Sequence, residues 1–185
     1  MKILAADTST GYNSVALCED DHVLAESVVD AGRIHSERLL ETVDWVLGEA
    51  GHTLRDVDLL AVSIGPGSFT GLRVGASTWK GLAFAAELPL AGVPTLDAMT
   101  RLSAFTYGTV CPLLDAKMRE VYGAAYGFEK GMRTKLIEDR VCSVESIAGD
   151  EINIAVPNRF FGEWLREHYY TILREEIGRV TRSED

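Results

Sequence analysis

The chain has 185 residues, 46% of them hydrophobic, and sets 18 Lys and Arg against 28 Asp and Glu for a formal net charge of −10. At this length it buries about 70% of the surface its unfolded form exposes, as an ordinary globular protein of one or two small lobes does. It has no basic run to grip nucleic acid unaided, no stretch of about 18 apolar residues and no signal-peptide pattern, so the cytoplasm is its default compartment.

Lys2–Asp7 (KILAAD) and Ser14–Cys18 (SVALC) are short apolar runs joined by TSTGYN, dense in turn formers, and they predict a β-hairpin. His22–Val29 follows the EDD turn as a third strand. From Ser36 the pattern changes: Leu39, Leu40, Val43, Val46, Leu47 and Ala50 recur at helical spacing, and Gly51 supplies a stop. Asp58–Ile64 predicts a buried strand, Thr70–Ala86 a helix, Pro89–Val93 a short strand and Thr95–Phe105 a further helix. Strand and helix alternate, which argues for an α/β layer structure.

The segments ILAADTSTGYNSVAL (3–17) and CPLLDAKMREVYGAAY (111–126) share a plan: an apolar strand ending in Asp, a polar turn, then a second strand rich in small residues. The chain therefore divides into two related lobes, 1–106 and 107–185, each opening with an Asp-ended hairpin. In the shorter second lobe, strands are expected at Met132–Val141 and Ile152–Val156, a helical turn at SVESIAG, and one amphipathic helix between Asn158 and Gly178. Cys18, Cys111 and Cys142 are odd in number and widely spaced, and read as reduced core thiols.

Four features could carry chemistry. The first is VSIGPGSFTGLRVG, Val62–Gly75, a strand running through a Gly-Pro-Gly turn into a helix. Gly71 is followed by Leu72 and Arg73, not Lys and Ser or Thr, and the glycine spacing does not fit G-x-G-x-x-G, so P-loop and Rossmann readings fail. Ser68 or Thr70 can cap the helix. Gly71, Gly75 and Thr78 put small residues on one face, where Gly71 and Gly75 each cost about 1 kcal/mol of helix propensity; the face accommodates close approach of another helix, within the chain or from a partner. The second is the pair Asp7 and Asp115. Facing hairpins of this form can clamp a nucleotide, with Thr8 and Ser9 beside the phosphates and the carboxylates on a magnesium shell, or each Asp can simply form a local Asx turn. The third is His35 in HSERL. A metal site on that helix needs a ligand at i+4, and that position is Leu39. The fourth is the serines, which include no G-x-S-x-G nucleophile elbow.

ILAADTST, HSERLLETVDWVL, GPGSFTGLRVGASTWKGLAFA and PLLDAKMREVYGAAY together resemble the TsaB (YeaZ) family over residues 2–128. The resemblance implies the actin-like ATPase fold, with two related lobes. It also implies a non-catalytic role in installing threonylcarbamoyladenosine next to the tRNA anticodon. Its partners would be the larger paralogue TsaD, which carries the metal and transfers the threonylcarbamoyl group, and the ATPase TsaE, with TsaC upstream and tRNA held only through the complex. TsaD holds its metal through a histidine pair on the first helix, and Leu39 stands where the second would be. Carried over from the family, the partner interface comprises His35, Leu39, Val43, Phe69, Gly71, Leu72, Arg73, Val74, Gly75 and Thr78 on the first two long helices, so Gly75→Leu with a charge reversal at Arg73 is expected to abolish pairing and spare the fold. A helix face shaped for a paralogue also fits its own copy, so a homodimer is expected when TsaD is absent.

Two departures from the family bear on nucleotide. Between Asp150 and Gly162 the chain reads EINIAVPNRFF, without the glycine-rich turn that holds adenosine, so no cofactor of its own is expected, with ATP or ADP and magnesium bound weakly or only at the shared interface. The chain also ends early for the family, and the short second lobe is expected to lean on a partner. The competing reading is an independent ATP-dependent small-molecule kinase of the same fold; a protease lacks both a metal pair and a nucleophile with a base.

Overall fold

The computed structural model describes residues 1–30, 35–101, 107–118, 120–143 and 153–155, with the backbone alone for 35–37 and 153–155. The chain divides into two compact units, Met1–Thr95 and Leu96–Asp185.

The first unit is a five-stranded sheet in the order β3-β2-β1-β4-β5, built from β1 (Lys2–Asp7), β2 (Tyr12–Glu19), β3 (His22–Asp30), β4 (Leu59–Ser63) and β5 (Leu90–Val93). β1 and β2 form the expected hairpin, and β1, β4 and β5 run parallel. Register aligns the apolar residues: Leu4 lies opposite Leu17 and Leu60, and Ala6 opposite Val15 and Val62. Helices α1 (His35–Glu49) and α2 (Phe69–Ala86) close over that sheet face. Leu39, Val43, Val46 and Leu47 of α1 and Trp79 of α2 complete a core with these strand residues. Trp79 is fully buried, and its indole Nε1 donates to the carbonyl of Leu4 at 3.3 Å.

α2 begins at Ser68, whose hydroxyl accepts from the Gly71 amide at 3.3 Å, and ends at Glu87 in the left-handed region, φ 56°. A single 3-10 turn, Leu54–Asp56, precedes β4 and was not anticipated from the sequence. Its Thr53 and Asp56 side chains bond to one another and to the local backbone. None of the described helices is long and apolar enough to cross a membrane.

The second unit opens with α3 (Thr95–Met99), shorter than the expected Thr95–Phe105; residues 102–106 lie outside the described residues. Its sheet has the order β8-β7-β6-β9, from β6 (Tyr107–Lys117), β7 (Glu120–Glu129), β8 (Met132–Cys142) and β9 (Asn153–Ala155). Leu96 and Met99 of α3 pack with Val110, Leu114, Ala124, Tyr126 and Phe128. The two compact units divide between Thr95 and Leu96, at the start of α3, where the sequence places the division after residue 106. In each sheet the order is third, second, first, fourth strand, with a hairpin at its centre and a parallel strand beyond it. The repeat in the sequence is thus a repeat of topology. The helical turn expected at SVESIAG and the helix expected after Asn158 lie outside the described residues.

Candidate functional site

The Gly65–Gly71 turn is stitched to the β1–β2 turn of its own unit. The Ser68 amide donates to the Ser9 carbonyl at 2.6 Å, and the Thr8 hydroxyl donates to the Gly71 carbonyl at 2.8 Å. Glycine is required where these chains meet. A Cβ on Gly67 would lie 2.4 Å from the Ser9 carbonyl oxygen, one on Gly71 2.0 Å from that of Thr8, and one on Gly75 2.3 Å from the Thr8 hydroxyl.

This corrects the interface expected from the sequence. Gly71 and Gly75 face inward, and the close approach they permit is between α2 and Thr8, not between α2 and a partner. Leu39 and Val43 are also buried, in the core of the first unit, and Val74 packs against that core. Thr78 is half-buried, and so is Leu72, which sits beside Gly65. Phe69 and Arg73 do face solvent, with the guanidinium 5.2 Å over the phenyl ring. His35 begins α1, and its side chain lies outside the described residues.

The outward stripe of α2 is Phe69, Arg73, Ser77, Lys80 and Phe84, at steps of three and four residues. Phe84 is 89% exposed and Phe69 74%. No acidic residue occurs between Asp58 and Glu87, so this stripe carries only positive charge in an acidic protein. Beside it, α1 exposes Leu40 and Trp45 among Glu41, Asp44 and Glu49, with Arg38 at one end. The helix layer therefore presents an aromatic, basic stripe next to an aromatic, acidic one. Lys80, Phe84 and Trp45 are not singled out by the sequence, and Leu40, which the sequence places in the apolar helical series with Leu39 and Val43, is exposed instead. Phe84 was detectable there, because it falls out of phase with the inward series Gly71, Gly75, Trp79 and Leu82.

The strand-end aspartates both form local turns. Asp7 accepts from the Ser9 amide at 2.9 Å. Asp115 accepts from the Lys117 amide at 2.8 Å, and its second oxygen pairs with the Lys117 ammonium at 2.6 Å. Thr8 and Ser9 are buried, and the Ser9 hydroxyl has neither exposed surface nor a hydrogen-bond partner among the described residues. As packed, neither hydroxyl is offered to a phosphate.

A second polar cluster lies within the second unit. The Tyr126 hydroxyl donates to the Asp97 carboxylate, Arg133 reaches the other carboxylate oxygen at 3.1 Å, and Lys135 stands 3.5 Å away. Arg133 also donates to the Asp97 carbonyl and to the Thr100 hydroxyl, each at 2.9 Å. Burial pushes the Asp97 carboxyl up, but the Tyr126 hydrogen bond and the charges of Arg133 and Lys135 outweigh it and hold the group below the usual carboxylate range. Burial and the Asp97 contact push the Tyr126 hydroxyl well above its ordinary value. All three cysteines are free thiols, and burial raises those of Cys18 and Cys111.

Residues 29–162 match the family model "TsaD: tRNA N6-adenosine threonylcarbamoyltransferase". The structure titled "YeaZ from Pseudomonas aeruginosa" superposes with a TM-score of 0.72 at 33% identity, covering 83% of this chain and 75% of that one. The chain belongs to the TsaB (YeaZ) family. The Escherichia coli K12 protein named "tRNA threonylcarbamoyladenosine biosynthesis protein TsaB" is 44% identical over 128 residues, 68% of this chain and 55% of that protein. The Bacillus subtilis 168 protein of the same name is 31% identical over 140 residues, 76% of this chain and 61% of its own length. The chain thus spans little more than half the length of these two relatives. Its fold is the actin-like ATPase fold.

Proposed function

We propose that this chain is a non-catalytic subunit of the machinery that forms threonylcarbamoyladenosine next to the tRNA anticodon, and that it acts by pairing with TsaD through the solvent faces of α1 and α2. The observation that carries this reading is the α2 stripe, where Phe69 and Phe84 stand exposed around Arg73 and Lys80 in an otherwise acidic chain. Large apolar side chains left in water beside one sign of charge mark a surface built for association. The names of the relatives support the pathway, and the match to the TsaD family model supports a paralogous partner. Both strand-end aspartates are engaged in their own turns, which supports a non-catalytic role over an independent kinase.

In this reading TsaE joins the pair, TsaC acts upstream, and tRNA is held through the complex. ATP or ADP with magnesium binds only where the partner completes the site, and without TsaD the same helix faces make a homodimer. The test is light scattering on the chain mixed with TsaD, together with threonylcarbamoyl transfer to tRNA in the presence of TsaC and TsaE. A complex is expected for the wild type. Phe84→Glu and Arg73→Glu should each weaken it at least tenfold and lower transfer with an unchanged melting temperature. Pairing unaffected by both substitutions removes the reading.

A further inference from the structure

The sheets differ in how they protect their outer strands. β5 is four residues long and follows Pro89, which cannot donate to a ladder. β8 alternates charges of both signs: Arg133, Lys135, Glu138, Asp139 and Arg140. β3 has neither protection, and its one interruption is a bulge against β2, where Leu24 is the extra residue between Val23, opposite Cys18, and Ala25, opposite Leu17, leaving Ala25–Asp30 in regular register. It forms the other edge of the first sheet, runs nine residues without Pro or Lys, and exposes Val23, Leu24 and Val28, the last at 62%. A long apolar edge of this kind is a template for pairing with another chain.

Every formally charged side chain along that edge is acidic: Asp20 and Asp21 in the preceding turn, then Glu26 and Asp30. The amino terminus pairs with Asp20 at 2.7 Å, and Arg38 donates to the Asp30 carbonyl at 3.3 Å. Asp21 and Glu26 have no ion-pair partner among the described residues. Leu24, Glu26 and Val28 alternate onto one face. A second copy pairing antiparallel with its ends aligned would set Glu26 against Glu26, which is unfavourable.

We propose that β3 is a docking strand for an extended segment of another protein whose residues alternate apolar, basic, apolar, added as a sixth strand beside it. Main-chain hydrogen bonds supply the affinity, and a lysine or arginine opposite Glu26, flanked by apolar residues opposite Leu24 and Val28, supplies the selection. The inference is independent of pairing through α1 and α2.

The probe is a capped ten-residue peptide with valine, lysine and valine at alternate positions between threonines, alongside a twin with proline in place of the threonine that precedes the lysine. Fluorescence anisotropy and amide exchange are read on the wild type and on Glu26→Lys and Val28→Lys, each first checked for an unchanged melting temperature. Saturable binding is expected for the first peptide alone, with the β3 amides protected and affinity at least tenfold lower for both variants. The proposal is overturned by no saturable binding, by equal binding of the proline twin or of the Glu26→Lys protein, or by self-association that Val28→Lys abolishes and Phe84→Glu leaves intact, which places two copies at this edge.

Discussion

The two Asp-ended hairpins descend from one plan and are held in opposite ways. The β1–β2 turn is locked at its tip, where Thr8 is buried against Gly71 and Gly75 of a helix far away in sequence. The β6–β7 tip stands in solvent: Lys117 and Met118 are both in the left-handed region, at φ 68° and 54°, and Met118 is 94% exposed. That second hairpin is instead secured along its length, where Tyr126 meets Asp97 and Arg133. A repeated motif thus fixes the strand pairing, while each unit supplies its own means of holding the loop.

The sharpest way to break this comparison is at Gly75. Because a Cβ there would collide with the Thr8 hydroxyl, Gly75→Leu is expected to unfold the first unit, a cost above about 3 kcal/mol, measured by thermal or urea unfolding. It therefore cannot serve as the fold-sparing interface probe that its helical spacing suggested. Asp97→Ala, acting on the second hairpin, should cost about 2–3 kcal/mol by removing charged hydrogen bonds to Arg133 and Tyr126. The Asp97 carboxyl titrates below its unfolded value, so its contribution is present above about pH 4 and is lost as the pH falls through the folded value. An acid titration of stability should show the wild type losing this advantage over Asp97→Ala. Thr8→Val should cost about 1 kcal/mol through the hydrogen bond to Gly71, read from the urea midpoint. The smallest effect is at the solvent-exposed tip: Met118→Gly should stabilise by about 0.5–1 kcal/mol, since glycine adopts the left-handed conformation without strain. Equal costs at the two tips would erase the contrast.

Most of the layered fold was legible in the sequence because it depends on local periodicity. The alternation in KILAAD and the heptad-like spacing of Leu39, Val43 and Val46 are set by which face is buried. The orientation of α2 was not legible. Glycines four residues apart look the same whether the close neighbour is a partner helix or Thr8 of the same chain, and nothing local links Gly71 to a residue that far back. Likewise the sequence leaves the Asp115 side chain open between metal and turn, and the deciding group, the Lys117 ammonium, lies two residues on, where the left-handed backbone of the tip brings it round. Of the outward aromatics, Phe84 is legible as an off-phase residue, whereas the small-residue pattern of Gly71 and Gly75 marks the face that is internal.

The two described tryptophans make this molecule its own spectroscopic gauge. Trp79 is sealed in the core with its indole N–H bonded, and Trp45 stands half-exposed on the outer helix layer. In a Trp164→Phe background, loss of the blue-shifted emission of Trp79 signals melting of the first unit, whereas a blue shift and reduced iodide quenching of Trp45 signal occupancy of the helix layer. One emission spectrum can then separate a variant that has lost its partner from one that has lost its fold.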